Sequence, residues 1–237
     1  MPSPNRRSAE GRTDEPATEH DSAGRRRDPG RSRQAILDAA ERIFAREGYD
    51  GASLVAIGKA AGVSGTLPAY FFKDKATLYA AVVERLFDHR DHTLERLVEA
   101  AIAALDEGED GLRRGLDILV GGYLRFLLDR PAFVRLMSRD ALEMGRAGRA
   151  TTPRHSAAYE RGLRRFIAAL PSRPGPGVDP DQLLISVVAL CFFPMEHDAT
   201  MLAGMGYRAW STGFVEKRAD HVVDVLLRVL AGPGGTG

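Results

Sequence analysis

Residues 53–64 read SLVAIGKAAGVS and predict two short helices joined by a tight turn. Ser53 is an N-cap for a helix over Leu54–Ala61, because its hydroxyl can accept from the free amides of the first turn. Gly62 ends that helix, since glycine adopts a left-handed conformation at little steric cost. Ser64 is a candidate cap for the second helix. Because small residues let the two helices approach closely, the pattern is that of a helix-turn-helix.

An amphipathic helix precedes this segment. Its apolar residues recur at helical spacing, and the pattern ends at Gly48. On the other side, Lys73-Asp74-Lys75 separates the second short helix from a long one, with Asp74 as the predicted N-cap. The long helix ends near Glu107-Gly108. Together these elements predict a helical head over residues 31–80.

Helical patterns continue through the rest of the chain. Further helices are predicted at residues 110–129, 131–146, 154–170, 181–205 and 212–230, with a proline-rich surface loop at 171–180. Pro194 should kink or interrupt its helix, because it lacks an amide donor. No strand alternation and no internal repeat is evident. The predicted fold class is all-α with about nine helices: a three-helix helix-turn-helix domain followed by a helical domain at 81–232.

Composition predicts a cytoplasmic protein. The 237 residues are 44% hydrophobic, and the formal net charge is only +1. The single cysteine, Cys191, lies in an apolar run and is interpreted as a small buried hydrophobe rather than a redox sensor. Residues 1–30 are polar and end in arginines, which predicts a disordered arm that either follows DNA or is merely solvated. Neither a signal segment nor a membrane span is predicted.

The helix-turn-helix segment is depleted in negative charge. Leu54 to Lys73 contains two lysines and no acidic side chain, although the whole chain has 33 basic and 32 acidic residues. A surface that faces phosphates needs such an absence of carboxylates. The alternative is a chance gap in a chain with 27% charged residues. We favour contact with nucleic acid.

The residues from Arg33 to Val83 resemble the TetR family of bacterial regulators. The resemblance rests on RQAILDAAERIFAREGY at 33–49, Ser53, AAGVS at 60–64, YFF at 70–72 and Lys75. It implies a repressor that binds a double-stranded DNA operator, with the recognition helix at residues 64–70. It also implies that Arg33 and Lys75 meet backbone phosphates. The expected DNA-binding residues are Arg33, Ser53, Ser64, Gly65, Thr66, Leu67, Tyr70 and Lys75.

The recognition segment departs from the commonest form of that family. A tyrosine that normally holds a phosphate is Ala69 here, and Tyr70 or Phe71 can substitute for it. Pro68 costs a helical hydrogen bond if Ser64 is the cap, but almost none if Thr66 is the cap. We therefore expect a helix that starts late or loosely. Base readout would depend on Thr66, Tyr70, contact of Leu67 with thymine methyl groups and DNA shape.

The two closing helices predict a homodimer. The last helix is apolar on all but a narrow polar strip, and such a surface needs burial on more than one side. A two-fold four-helix interface with the preceding helix satisfies this need, as the resemblance also implies. The alternative is a central core helix in a monomer.

The helices between head and dimer helices are expected to enclose a pocket for a small lipophilic inducer. The resemblance implies such a pocket, and adaptable methionines with aromatic walls suit a flat or lipophilic ligand. For each side chain, the alternative to ligand binding is ordinary packing in the core. For the whole protein, the alternative function is a DNA-binding regulator or activator without an inducer. The expected ligand-binding residues are Tyr123, Phe126, Met137, Met144, Tyr159, Phe192 and His197.

An enzyme is the competing class. His89 and His92 share a helix face with Asp91 between them, but two ligands are too few for a metal site. We find no phosphate loop, no dinucleotide glycine motif and no nucleophile with a base. The sequence therefore predicts no catalytic residue, no metal and no cofactor.

Overall fold

The computed structural model describes residues 28–108, 110–142, 152–170 and 178–231. This part of the chain contains nine α-helices and one π-helical segment, and no strand. The predicted all-α class is therefore confirmed. None of the helices described is long and apolar enough to cross a membrane.

Three helices form the head. The first, α1 (Pro29–Gly51), is capped by Asp28 and broken at Gly48, whose φ is +77°. The second, α2 (Leu54–Ala60), follows after two residues, and α3 (Leu67–Phe72) comes after the turn at Gly62. Because α1 begins at Pro29, the end of the segment predicted as a disordered arm is helical, and residues 1–27 lie outside the described residues.

The body is built on α4 (Lys75–Ala104) and α5 (Gly111–Asp129). They are followed by α6 (Pro131–Leu142), α7 (Thr152–Ala169), α8 (Pro180–Glu196) and α9 (Thr212–Ala231). The predicted helix at 181–205 is divided: α8 ends two residues after Pro194, and a π-helical segment, Asp198–Leu202, follows. The predicted domain boundary at residue 80 falls within α4, which belongs to both parts.

Ion pairs join the head to the body. The guanidinium of Arg85 on α4 lies 2.6 Å from the Asp38 carboxylate and 2.5 Å from that of Glu41, both on α1. Behind them, α1 buries Ile36, Phe44 and their neighbours in one core cluster that continues through α4 into the body. Helix α1 also packs against α6. A movement of α4 or α6 would therefore be transmitted to the head.

Candidate nucleic-acid interface and ligand cleft

The local geometry of the head follows its capping residues. The Ser53 hydroxyl accepts from the amide of Ala56 at 3.2 Å, so it caps α2 as predicted. Gly62 has a φ of +69°, which explains the glycine at the turn. Ser64 does not cap α3 directly. Its hydroxyl lies 2.9 Å from that of Thr66, which is the N-cap residue, so the late start of α3 is confirmed.

A close approach between Gly58 and Pro68 sets the distance between α2 and α3. A Cβ atom built on Gly58 would lie 2.8 Å from the Ser64 carbonyl oxygen and 3.2 Å from Cδ of Pro68. Real Cβ atoms essentially never come within 3.0 Å of another heavy atom. Pro68 is buried against this gap and occupies the first turn of α3, where its missing amide costs little. Gly58 therefore permits the proline-containing form of α3.

The face of α3 that points away from the core is polar, aromatic and free of carboxylates. Tyr70 is 81% exposed, the largest exposed fraction among the exposed large hydrophobic side chains of the described residues. Its ring packs edge-on against Phe71, with centroids 5.4 Å apart. Ser64 and Thr66 are exposed beside it. Gly65 and Leu67 are only partly exposed, since Gly65 faces Val55 and Leu67 packs against the core cluster.

Arg33 stands next to α3 although it belongs to α1. Its guanidinium carbon lies 5.0 Å from the centroid of the Phe72 ring, a cation–π arrangement. The ring therefore contacts the charged end of an exposed arginine at the carboxyl end of α3. This position is compatible with a contact between Arg33 and a backbone phosphate.

Lys75 has partners inside the protein. Its Nζ donates to the carbonyl oxygen of Ala52 at 3.1 Å and lies 4.5 Å from the centroid of the Tyr49 ring. The side chain is partly buried there. These contacts link the start of α4 to the end of α1, and the phosphate contact that the resemblance implied for Lys75 stays a prediction.

Lys73 occupies a strained turn between α3 and α4. Its φ and ψ are +66° and −58°, and the amide of Asp74 donates to the carbonyl oxygen of Phe72 at 2.7 Å. These values define the positive-φ form of the γ-turn, which is rare and strained. Lys73 is exposed, so the turn presents a cation at the end of the recognition segment. The expected site residues did not include it.

A cleft opens between α4, α5, α7 and α8. Its cavity volume is about 80 Å³, below the range of pockets that hold drug-sized molecules, so a ligand of that size would have to widen it. Its polar side chains are Tyr123 and Tyr159, whose hydroxyl oxygens lie 2.7 Å apart. We call this cleft the tyrosine chamber. Its apolar walls include Leu94, Val98, Leu119, Leu163, Leu184 and Val187.

The tyrosine pair is buried and un-ionised. Burial raises the pKa of Tyr123 well above its usual value, and burial also raises the pKa of Tyr159. The guanidinium of Arg90, which is 3% exposed, lies 4.2 Å from the centroid of the Tyr159 ring. Arg90 also donates through Nε to Asp91 at 2.8 Å. Both tyrosines therefore remain hydrogen-bond donors in the neutral pH range.

Four of the other expected ligand-binding residues, Phe126, Met137, Phe192 and His197, do not line this chamber. Phe126 stacks on Tyr123 and belongs to a cluster of aromatic rings with Phe133, while Met137 packs against the core. Phe192 lies beside that cluster, with centroids 6.5 Å from Phe133. His197 stacks on Phe193 at the end of α8. Met144 lies outside the described residues.

The sequence did not predict the apolar wall residues of the chamber. Leucine and valine at helical spacing give the same pattern whether they line a cavity or pack in a core. The spacing on α4 and α8 placed these residues on a buried face. It gave no sign that a cavity, rather than a packed neighbour, lay against that face. Gly162 was a usable signal: this small residue lines the chamber, and a Cβ there would come within 3.2 Å of Val98.

Large apolar side chains are exposed on α8, on the π-helical segment, on α9 and on the segment between them. Four of them are exposed by 42–62% of their surface: Ile185, Phe193, Met201 and Met205. Tyr207 and Val229 are also exposed, by 52% and 43% of their surface. Helix α9 buries Val222, Val223 and Leu226 and packs against α5. Phe193, Met201, Met205 and Tyr207 border one groove with the first turns of α9, and we call this surface the α8–α9 face; no element among the described residues covers it.

Two protein-family models match the chain. The model described as "Bacterial regulatory proteins, tetR family" matches residues 36–82, which span most of the head. The model described as "Tetracyclin repressor-like, C-terminal domain" matches residues 113–226, from α5 into α9. Curated proteins gave no match.

Solved structures share the fold. A regulator described as a putative TetR-family member from Mesorhizobium loti is 24% identical, with a TM-score of 0.58 over 84% of this chain and 96% of that one. NalD from Pseudomonas aeruginosa, described as a secondary repressor of a multidrug efflux pump, is 21% identical, with a TM-score of 0.58 over 87% and 100%. FadR from Bacillus subtilis, solved with stearoyl-CoA, is 14% identical, with a TM-score of 0.57 over 80% and 97%.

Proposed function

The chain belongs to the TetR family, whose members are DNA-binding transcriptional regulators, and we propose that it is a repressor released from its operator by a small lipophilic ligand. The observation that carries the DNA-binding part is the exposed face of α3. There Tyr70, Thr66 and Ser64 project from a helix-turn-helix segment without a carboxylate. Such a face can enter a major groove without repelling the flanking phosphates.

Three cations around α3 are available for the sequence-independent part of binding. Lys59 is exposed at the end of α2, and Lys73 is exposed after α3. The guanidinium of Arg33 packs over the Phe72 ring in a cation–π contact. Phosphate contacts fix the position and register of the head on the duplex. Base discrimination then falls to the short polar groups and to the Tyr70 ring. We therefore propose Lys73 as a phosphate contact and Lys75 as a residue that positions the head.

The ligand part of the proposal rests on the tyrosine chamber. A fully packed body would have favoured a regulator without an inducer, but this body contains an apolar cleft with a hydrogen-bonding pair at one place in its wall. Leu94 and Val98 of α4 line the cleft, and Arg85 of α4 holds α1. A ligand that displaces α4 would change the orientation of the head. The FadR structure with stearoyl-CoA is a precedent for a lipophilic ligand in this fold.

The dimer part rests on the α8–α9 face. Large apolar side chains that are each 42% exposed or more are costly to leave in water as a group. A second copy that packs the same face against it by two-fold symmetry would cover them. Two heads would then meet two half-sites of an operator, separated by whole turns of the duplex.

Selection from a pool of random duplexes followed by a gel-shift assay tests the DNA-binding proposal. We expect one enriched sequence with approximate two-fold symmetry. We expect Tyr70→Ala to weaken its binding at least tenfold, with a smaller loss for Tyr70→Phe, which retains the ring. An enzyme would enrich no sequence. Equal binding by wild type and Tyr70→Ala would contradict the assignment of the α3 face.

A further inference from the structure

We propose that Arg218 of α9 replaces the amide that Pro194 of α8 lacks, and that this hydrogen bond fixes how the two helices pack for dimerisation. Nε of Arg218 donates to the carbonyl oxygen of Leu190 at 2.9 Å. Because α8 and α9 carry the proposed interface, the effect on dimerisation rests on the proposed function. The exchange of one donor for another rests on the geometry of the two helices.

The carbonyl of Leu190 is the one that Pro194 leaves without its usual donor. In an α-helix each carbonyl oxygen accepts from the amide four residues later, so the oxygen of Leu190 would accept from residue 194. Proline has no N–H, and its ring crowds that same carbonyl. Helix α8 nevertheless continues past Pro194 to Glu196. A polar group that is taken out of water without a partner is costly, so this oxygen needs a donor from elsewhere.

Arg218 supplies a donor from an unusual position on α9. It lies three residues after Val215 and four before Val222, so the three side chains share one face of the helix. Val215 is 2% exposed and Val222 is 0% exposed, whereas Arg218 is partly buried between them. Burial lowers the pKa of the Arg218 guanidinium, and in the described part of the chain no carboxylate forms an ion pair with it. A cation on this face is therefore explained by the acceptor on α8.

The exchange moves a hydrogen bond from inside one helix to between two helices. An amide at residue 194 would have bonded within α8, but Arg218 is 28 positions away from Leu190 in sequence. A guanidinium is charged at every ordinary pH, and hydrogen bonds from a charged donor are stronger than those from a neutral amide. The proline therefore makes the integrity of α8 depend on the position of α9.

This hydrogen bond lies at the groove of the α8–α9 face. Pro194 and Arg218 both line that groove, together with Phe193 from α8 and Phe214 from α9. A second copy that packs on this face would meet walls contributed by both helices. If the bond is lost, the two walls are free to shift relative to each other. We therefore expect Arg218 to act on dimerisation as a positioning residue.

A double-mutant cycle on the full-length protein tests the exchange of donors. Arg218→Met, Pro194→Ala and the double variant are melted at one protein concentration, because the stability of a dimer depends on concentration. Arg218→Met should lower the melting temperature by about 4 °C or more. In the Pro194→Ala background the same change should cost less than half as much, because the alanine amide donates to the Leu190 oxygen. Equal losses in the two backgrounds would overturn the inference.

Two further variants separate the hydrogen bond from the charge. Arg218→Gln keeps an N–H the same number of bonds from the backbone as Nε but has no charge. Lys217→Met removes a neighbouring exposed cation that lines the same groove. In analytical ultracentrifugation Arg218→Met should raise the dimer dissociation constant at least tenfold, and the other two variants less than threefold. An equal rise for Lys217→Met and Arg218→Met would assign the effect to charge and overturn the inference.

The cycle stays informative if Arg218→Met alone does not fold. The double variant should then fold, since the alanine amide restores a donor within α8, and an unfolded double variant would overturn the inference. Failure of the proposed dimer has a different signature. A protein that stays dimeric after Phe193→Asp contradicts the proposed interface, whereas equal losses across the cycle overturn the exchange of donors and leave that interface standing.

Discussion

The Nζ of Lys75 donates to the carbonyl oxygen of Ala52 at 3.1 Å, which links the start of α4 to the junction of α1 and α2. The Tyr49 ring covers the same ammonium group at 4.5 Å. Both partners are internal, and we therefore propose that Lys75 acts on DNA binding through the position of the head. The exposed Lys73, two residues earlier, is free of this constraint.

Lys75→Met should lower stability and weaken operator binding without changing its salt dependence. The substitution keeps an unbranched side chain that is one atom shorter but removes the donor and the cation, which together contribute about 1 kcal/mol to stability. Thermal unfolding and gel-shift titrations from 50 to 200 mM salt measure the two effects. A smaller slope of log affinity against log salt would show that Lys75 does meet a phosphate.

Lys73→Gln should leave stability nearly unchanged but reduce the salt dependence of operator binding, the reverse of the result expected for Lys75→Met. Loss of one phosphate contact in each head of a dimer reduces the magnitude of the salt slope by about 2. Stability should change little, because the side chain is exposed. Lys73→Gly should raise the melting temperature while weakening binding, since glycine relieves a positive-φ strain of about 1–3 kcal/mol. Full DNA affinity in both variants would remove Lys73 from the interface.

Gly58→Ala should disturb the recognition helix. The new methyl group would lie 2.8 Å from the backbone oxygen of Ser64, so the turn or α3 must move. We expect a loss of about 1–3 kcal/mol in the free energy of unfolding and a larger relative loss of operator affinity. Gly204→Ala is the matched control, because nothing lies within 4 Å of its built Cβ. Equal stability of the two variants would contradict the close approach.

The sequence predicted the head better than the body, and the reason is local. Ser53, Gly62 and Asp74 act through their own backbone neighbourhood, so their capping and turn roles could be read from residue type and spacing. The late start of α3 followed from Pro68 in the same way. The contacts of Lys75 could not be predicted, because Ala52 lies 23 positions away in sequence.

The ligand cleft depends on packing between distant helices. Tyr123 and Tyr159 were expected in it and line it, but the pairing of their hydroxyls requires α5 and α7 to be side by side. Phe192 and His197 are of residue types that often line pockets, but they do not line this chamber. The rotation of each helix about its axis decides which aromatic residue faces a cavity. Residue type alone cannot fix that rotation.

Phe193→Asp should convert the dimer to a monomer. Phe193 is 42% exposed on the α8–α9 face, and in the proposed dimer a carboxylate there would be buried without a partner. Light scattering after gel filtration measures the mass. Val55→Ser is the control, since Val55 is 67% exposed but lies on α2 in the head. A dimeric Phe193→Asp protein would place the interface on another face.

Cys191 should be inert to thiol reagents in the folded protein. Its side chain is fully buried, and burial raises the pKa of the thiol to about 12, so almost no thiolate exists at pH 8. We expect a disulfide reagent such as dithionitrobenzoate to react only after denaturation. Hydrogen peroxide should leave operator affinity unchanged. Rapid labelling of the folded protein would revive the redox-sensor interpretation.

His89 should make stability fall under mildly acidic conditions. Arg130 donates to its Nε2 at 2.7 Å, and burial together with the Arg130 charge lowers the pKa of His89 below its usual 6.5. Arg96 and His92 act in the same direction, while Glu41 opposes them. As pH falls below about 6.5, the unfolded chain therefore takes up the proton first.

The contribution of His89 is therefore complete above that pH and is lost as pH falls through the lower pKa of the folded state. His89→Gln retains an acceptor for Arg130 but does not titrate. Between pH 7.5 and 5.5 the melting temperature of the wild type should fall further than that of the variant, since all other groups are common to both. Parallel curves for the two proteins would show that His89 is not perturbed by Arg130.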